Sequence, residues 1–218
     1  MDIEVNLAAF TGDRTPGARY TSFDYCFNYF QSFREQNRVA EIASQENMQL
    51  SCLHLGFYLA SWGMFRGPST LLLRSARHYE PVVEVIAAAP PSAWELDAHC
   101  YTTQAWPLIR QLDQQIRAAF GHPSGVSDTL ATKVLLGVFG NVPAFDTFFR
   151  AGFHAATFGP KAFRRLGEFY REHADIIERN RILTLDFQTG EPTQRRYSRA
   201  KVIDMIFFIE GGGSSRAI

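Results

Sequence analysis

Apolar residues return along most of this chain at steps of three and four, the spacing that lines one face of a helix. Phe23, Phe27, Phe30 and Phe33 form the clearest stripe and predict a helix from about Ser22 with an aromatic core face. Over residues 47–65, Leu50, Leu53, Phe57 and Trp62 lie on or near one side and other apolar residues occupy the remaining sides, which predicts a buried helix. Arg66-Gly67-Pro68-Ser69 ends it, because Gly terminates helices and Pro favours a first turn. A second helix is expected from Pro68 to about Ala89, closed by Pro90-Pro91. Ser92-Ala93-Trp94-Glu95 fits a capping box that opens a helix running toward Phe120. Ser127 caps the next, which carries Leu130, Val134, Leu135 and Val138. Gly140-Asn141-Val142-Pro143 breaks that helix, and Pro143 opens a short one through Phe149. Gly159-Pro160 starts a strongly charged helix to about Arg179, and Ser198 caps a last one with Val202, Ile203, Met205 and Ile206.

Two stretches depart from the helical period. Residues 1–19 contain Thr11-Gly12-Asp13-Arg14-Thr15-Pro16-Gly17 and read as an N-terminal loop. Near 182–197, partial alternation around Thr189-Gly190-Glu191-Pro192 predicts at most one small β-hairpin. The expected fold is all-α: one compact multi-helix domain over 20–210, about eight helices with short connections, followed by a flexible Gly/Ser tail over 211–218.

Composition narrows the classes. The formal net charge is zero, without the basic excess that phosphate backbones demand of a dedicated nucleic-acid binder. The charge is uneven, however: residues 160–201 hold ten Lys/Arg against six Asp/Glu, either a local basic face or an ordinary solvated helix. The three cysteines, Cys26, Cys52 and Cys100, are odd in number and widely spaced, which argues against a disulfide framework and a thiolate zinc site. The apolar run Leu53–Phe65 is too short to span a bilayer, and Met1-Asp2-Ile3-Glu4 lacks the basic start of a signal peptide, so the expected compartment is the cytoplasm, with no membrane partner. The six histidines show no metal-binding spacing, and neither a metal nor another cofactor is expected. No nucleotide-loop or nucleophile-elbow motif occurs.

Three places carry candidate chemistry. Arg66, Ser69 and Thr70 stand where one helix ends and another begins; a helix start offers unpaired N–H groups and partial positive charge, which suits an anion. Lys133 lies mid-helix in an apolar segment, and the Gly137–Pro143 break lets the chain fold back and bring Asp146 to it. A desolvated lysine loses proton affinity and becomes nucleophilic, with an aspartate to manage protons, so Lys133 and Asp146 are candidate catalytic residues. Lys201 sits three residues before Asp204, a local pair or a further anion ligand.

Residues 128–146, with a lysine, a glycine-bearing turn and an aspartate, resemble the helix-hairpin-helix DNA glycosylases; the resemblance implies a DNA-acting protein that uses Lys133 or Asp146. Trp62-Gly63-Met64-Phe65-Arg66-Gly67 and Pro143-Ala144-Phe145-Asp146 resemble stretches of uncharacterised bacterial helical proteins, a likeness that implies no activity. Three functions stand open. The first is a domain binding an anionic ligand, nucleotide-like or a nucleic acid, in a pocket that gathers Arg66, Lys133, Asp146 and Lys201. The second is a protein-interaction or regulatory module in which these residues form a buried structural network. The third is the glycosylase-like protein.

Overall fold

The computed structural model describes residues 1–66, 70–121 and 125–213. In chain order the helices are α1 (Ile3–Thr11), α2 (Ser22–Glu35), α3 (Met48–Ser61), α4 (Glu80–Ala87), α5 (Pro91–Glu95), α6 (Trp106–Phe120), α7 (Asp128–Val134), α8 (Thr147–Phe153), α9 (Pro160–Glu172), α10 (Ala174–Arg179) and α11 (Arg199–Glu210). Strands β1 (Leu183–Leu185) and β2 (Pro192–Arg196) pair antiparallel between α10 and α11. Helix accounts for 65% of the described residues, and the two strands form a small hairpin, as the sequence pattern predicts. Among the described residues no helix is long and apolar enough to cross a membrane.

Helix α11 is the axis of the molecule. Every residue from Ala200 to Phe208 is buried, because α1, α8 and α10 cover its different sides. A helix so enclosed is apolar all round, and its Lys201 and Asp204 are the exceptions that need partners. Ser198 caps it, its Oγ accepting from the Lys201 amide at 3.1 Å. The approach of α8 to its C-terminal end is close enough to exclude any side chain at the contact. A Cβ on Gly211 would lie 1.9 Å from the Phe148 carbonyl oxygen, and one on Gly152 would lie 2.3 Å from that of Phe207.

The aromatic stripe of α2 is core: Phe23, Phe27 and Phe30 are buried and Phe33 packs at its edge. Of the stripe over 47–65, Trp62 is buried and the other three members are not. Leu50, Leu53 and Phe57 face solvent, Phe57 at 69% exposure, and the buried side is Ser51, Cys52, Leu55, Tyr58 and Leu59. A helix apolar on all sides carries no periodic signal of which side the rest of the chain covers.

Several boundaries shift for local reasons. Residues 3–11 are helical rather than loop: Asp2 caps α1 through the Val5 amide at 3.1 Å, and Ile3, Leu7 and Phe10 pack inward. The predicted helix to Ala89 is two short 3₁₀ turns, Thr70–Leu73 and Ala76–Tyr79, and then α4; Pro68 lies outside the described residues. Pro91, not Ser92, opens a one-turn helix, and the long helix begins only at Trp106, with Pro107 in its first turn. Pro143 lies in an extended connection, and α8 starts later because Asp146 caps it through the Phe149 amide at 2.9 Å. The charged segment breaks at His173 into α9 and α10. Gly211, Gly212 and Gly213 belong to the end of α11, their amides returning to the carbonyls of Phe207, Ile209 and Phe208; the rest of the expected tail lies outside the described residues.

Candidate functional site

Helix α7 runs into a π-helical turn, Leu135–Phe139, which ends at Gly140 with φ of +67°. Only a residue without Cβ holds that left-handed conformation at little cost, and the chain turns back there. The connection that follows is buried, so its backbone polar groups need partners. Side chains of the neighbouring helices provide them. The Phe145 amide donates to Thr132 Oγ1 at 2.8 Å, Thr129 Oγ1 donates to the Phe145 carbonyl at 2.9 Å, and the Ala144 amide donates to Asp204 Oδ1 at 3.0 Å. Clamped between α7 and α11, the connection delivers Asp146 to Lys133. The Lys133 Nζ donates to Asp146 Oδ2 at 3.3 Å and to the Trp62 carbonyl at 3.2 Å.

Lys201 lies beside this pair. Its Nζ donates to Asp204 Oδ2 at 2.9 Å and stands 4.5 Å from the ring centre of Trp62, 4.8 Å from Phe23 and 4.9 Å from Phe10. Lys133 approaches the same Trp62 ring at 5.0 Å. Two ammonium and two carboxylate groups thus share an interior site whose walls are aromatic faces, which attract cations. The cluster is neutral in sum and almost sealed: the Lys133, Lys201 and Asp204 side chains are 3%, 1% and 4% exposed, and Asp146, at 14%, is the member nearest solvent.

Burial sets the proton affinities. It pushes the Lys133 ammonium below the ordinary lysine range, against the pull of Asp146 and Asp204, and nearby Lys201 adds to the depression. It raises the Asp204 carboxyl above the ordinary range, against the opposing field of Lys201. A lysine with weakened proton affinity beside a carboxylate is equipped to give up its proton and act as an amine.

The surface over the cluster is partly aromatic and partly basic. Tyr20 stacks on Trp62 with ring centres 4.5 Å apart, and the Arg19 guanidinium lies 5.2 Å over the Tyr20 ring. Arg66 and Arg19 are both exposed and converge on Gly63: their Cδ and Nη2 atoms lie 3.6 and 3.7 Å from the position a Cβ would take there. Arg66 therefore sits on the turn after α3, close to Trp62. Ser69 and the side chain of Thr70, the other expected anion ligands, lie outside the described residues. Lys201, expected as a further anion ligand, is brought to the cluster, but its ammonium is enclosed against Asp204.

A second buried cluster escaped the sequence reading. Asp24, fully buried on α2, accepts from the Tyr197 hydroxyl, from Arg14 Nη2 and from the Leu185 amide, and so ties the N-terminal segment, α2 and the hairpin together. Its carboxyl is raised by burial although Arg14 opposes the shift. The only sequence signal was an acid beside the first phenylalanine of an aromatic stripe. Among the described residues no three His, Cys, Asp or Glu side chains gather closely enough to hold a metal ion. No protein-family model matches this sequence, and neither a curated protein nor a solved structure matches it.

Proposed function

We propose that the protein is a cytoplasmic helical domain that binds an anionic, nucleotide-like ligand over Tyr20, Gly63 and Arg66, with the Lys133–Asp146 pair behind that surface as its reactive group. One observation carries this reading: the exposed Arg66 and Arg19 side chains flank Gly63 beside a Tyr20–Trp62 stack, Arg19 anchored by its Nε on the Ser61 carbonyl, and the Trp62 carbonyl is itself a ligand of the desolvated Lys133 ammonium. Guanidiniums suit phosphate oxygens, an aromatic edge suits a base, and a lysine of weakened proton affinity suits amine chemistry.

Titration with deoxyadenosine monophosphate and with a short single-stranded oligodeoxynucleotide tests it. Binding should raise the melting temperature by mass action. Arg66→Ala should abolish that rise while leaving the melting temperature of the free protein within about 2 °C, because substitution of an exposed side chain costs little. No response to either probe, or an Arg66→Ala protein that responds as fully as the parent, overturns the proposal.

The second reading is a regulatory or interaction module in which the cluster is purely structural. It is favoured by the near-complete enclosure of Lys133, Lys201 and Asp204. Under that reading Lys133→Met alters stability and nothing else.

A further inference from the structure

A cleft of about 340 Å³ opens away from the lysine cluster, where α2, α5, the hairpin and the start of α11 meet. That volume falls within the range of small-molecule sites. Five arginines line it: Arg34 from α2, Arg181, Arg195 and Arg196 from the hairpin region, and Arg199 from α11. They face three carboxylates, Glu35, Glu95 and Asp97, with His99 beside them.

The hydrogen bonds sort these charges into committed and free. Arg195 is gripped by Glu35 through two bonds of 2.9 and 2.6 Å. Arg199 is held by Asp97 and Glu178, and Arg181 by Glu178 and the Tyr197 carbonyl. Asp97 also accepts the amides of Arg199 and Ala200, each at 2.8 Å, so the first turn of α11 is already occupied by an internal carboxylate. Two guanidiniums remain. Among the described residues Arg34 has no acceptor, and Arg196 donates only to the Arg181 carbonyl. Trp94, a wall residue, holds a buried indole N–H without an acceptor among the described residues. Among the described residues Glu95 is the single carboxylate of the cleft with no cationic partner.

We propose that this cleft is a binding site for the phosphate of a small organic phosphomonoester, held by Arg34 and Arg196. A guanidinium offers paired donors to two oxygens, and a phosphomonoester presents three oxygens and nearly two negative charges at neutral pH. Its charge is opposed by the two uncommitted arginines, less the unpaired negative charge of Glu95. The three ion-paired arginines are fixed by their own carboxylates, so that wall of the cleft is preformed and neutral in sum, which lowers the ordering cost of binding. Phe27, Phe139 and Leu96 supply an apolar floor for the organic part, room that inorganic phosphate alone leaves empty. The site is independent of the reading given above for Lys133.

Calorimetric titration of the full chain with glucose 6-phosphate, inorganic phosphate and a phosphoserine peptide, at fixed ionic strength, tests the assignment. Glucose 6-phosphate should bind more tightly than inorganic phosphate. Arg34→Ala and Arg196→Ala should each weaken it about tenfold or more, the scale of one charge-assisted hydrogen bond, and Arg34→Lys should recover part of the loss. Glu95→Gln should tighten binding, because it removes the unpaired like charge. Arg66→Ala should leave this titration unchanged, which separates the site from the Tyr20–Gly63 surface. Binding no stronger than that of chloride, indifference to Arg34 and Arg196, or weaker binding by Glu95→Gln overturns the site. Tightest binding by the phosphoserine peptide overturns the small-molecule assignment.

Discussion

Replacing Lys201 by methionine tests whether the interior charges are held by one another. The substitution keeps an unbranched side chain of similar length but removes the ammonium between Trp62, Phe23 and Phe10. It leaves Asp204, 4% exposed, with one remaining hydrogen bond among the described residues, from the Ala144 amide. Breaking a buried ion pair by deleting one partner costs about 3–5 kcal/mol, because the other charge stays buried and unpaired. Lys133 lends Asp204 some positive field, but Asp146 opposes it, so the loss is expected within that range. For a chain of this size each kcal/mol moves the melting temperature by about 2–4 °C, so a fall on the order of 10 °C is expected. Urea unfolding followed by far-UV circular dichroism measures it, and a double-mutant cycle with Asp204→Asn isolates the pair. The double variant should be clearly more stable than the sum of the single losses implies, with a coupling of about 2 kcal/mol. The single variant should also regain stability on acidification, because a stranded carboxyl escapes its penalty by taking a proton, at about 1.4 kcal/mol per unit of pKa shift. Losses below about 1 kcal/mol, or losses that add without coupling, would refute the reasoning.

Further outcomes follow from the same geometry. Lys133→Met should cost about 2–4 kcal/mol at neutral pH, and adding Asp146→Asn, which retains an oxygen to cap α8, should restore much of it in chemical denaturation. Gly152→Ala should destabilise by roughly 1–3 kcal/mol or more, since its methyl group meets the Phe207 backbone and not a movable side chain; an unchanged urea midpoint counts against the close approach of α8 and α11. The folded pKa of Asp204 lies above its unfolded value of 3.8, so the folded state binds that proton more tightly. Its contribution is therefore fully present below 3.8 and is lost as pH rises through the folded pKa, and Asp204→Asn should remove that part of the pH dependence of urea unfolding. Lys133 runs the other way: its folded pKa lies below 10.5, the unfolded chain holds more protons between the two values, and stability should rise with pH across that window.

Much of the helix pattern was legible because caps and breakers act locally. Ser127 and Ser198 both cap where the sequence places them, and the phenylalanine stripe of α2 is buried as its spacing predicts. The pairing of Lys133 with Asp146 was legible for a similar reason: a buried ammonium needs a counter-charge, and the glycine-bearing turn supplied a route to one. What depends on tertiary contact was not legible. The exposed side of α3 is decided by α2 and α4 and not by its own period. The five arginines of the cleft come from α2, the hairpin region and α11, and the basic excess of residues 160–201 hinted at four of them, not at Arg34. The Asp24–Arg14–Tyr197 cluster joins residues ten and 173 positions apart, a separation no local pattern encodes.

The lysine–aspartate cluster is also where the fold closes, and this constrains any chemistry it performs. Its four charged groups come from α7, the cap of α8 and α11, and they meet under a tryptophan that ends α3. Asp204 both pairs with Lys201 and fixes the Ala144 amide of the connection that delivers Asp146 to Lys133. A change of charge on one member is therefore felt by the others, through the low-dielectric interior and through that connection. Lys133 in particular feels the charge of Asp204, which supports its ammonium against burial. It follows that Asp204→Asn, two steps removed from the proposed ligand surface, should shift the pH dependence of any amine reaction at Lys133. A purely exposed Lys–Asp pair would show no such dependence on a residue of α11.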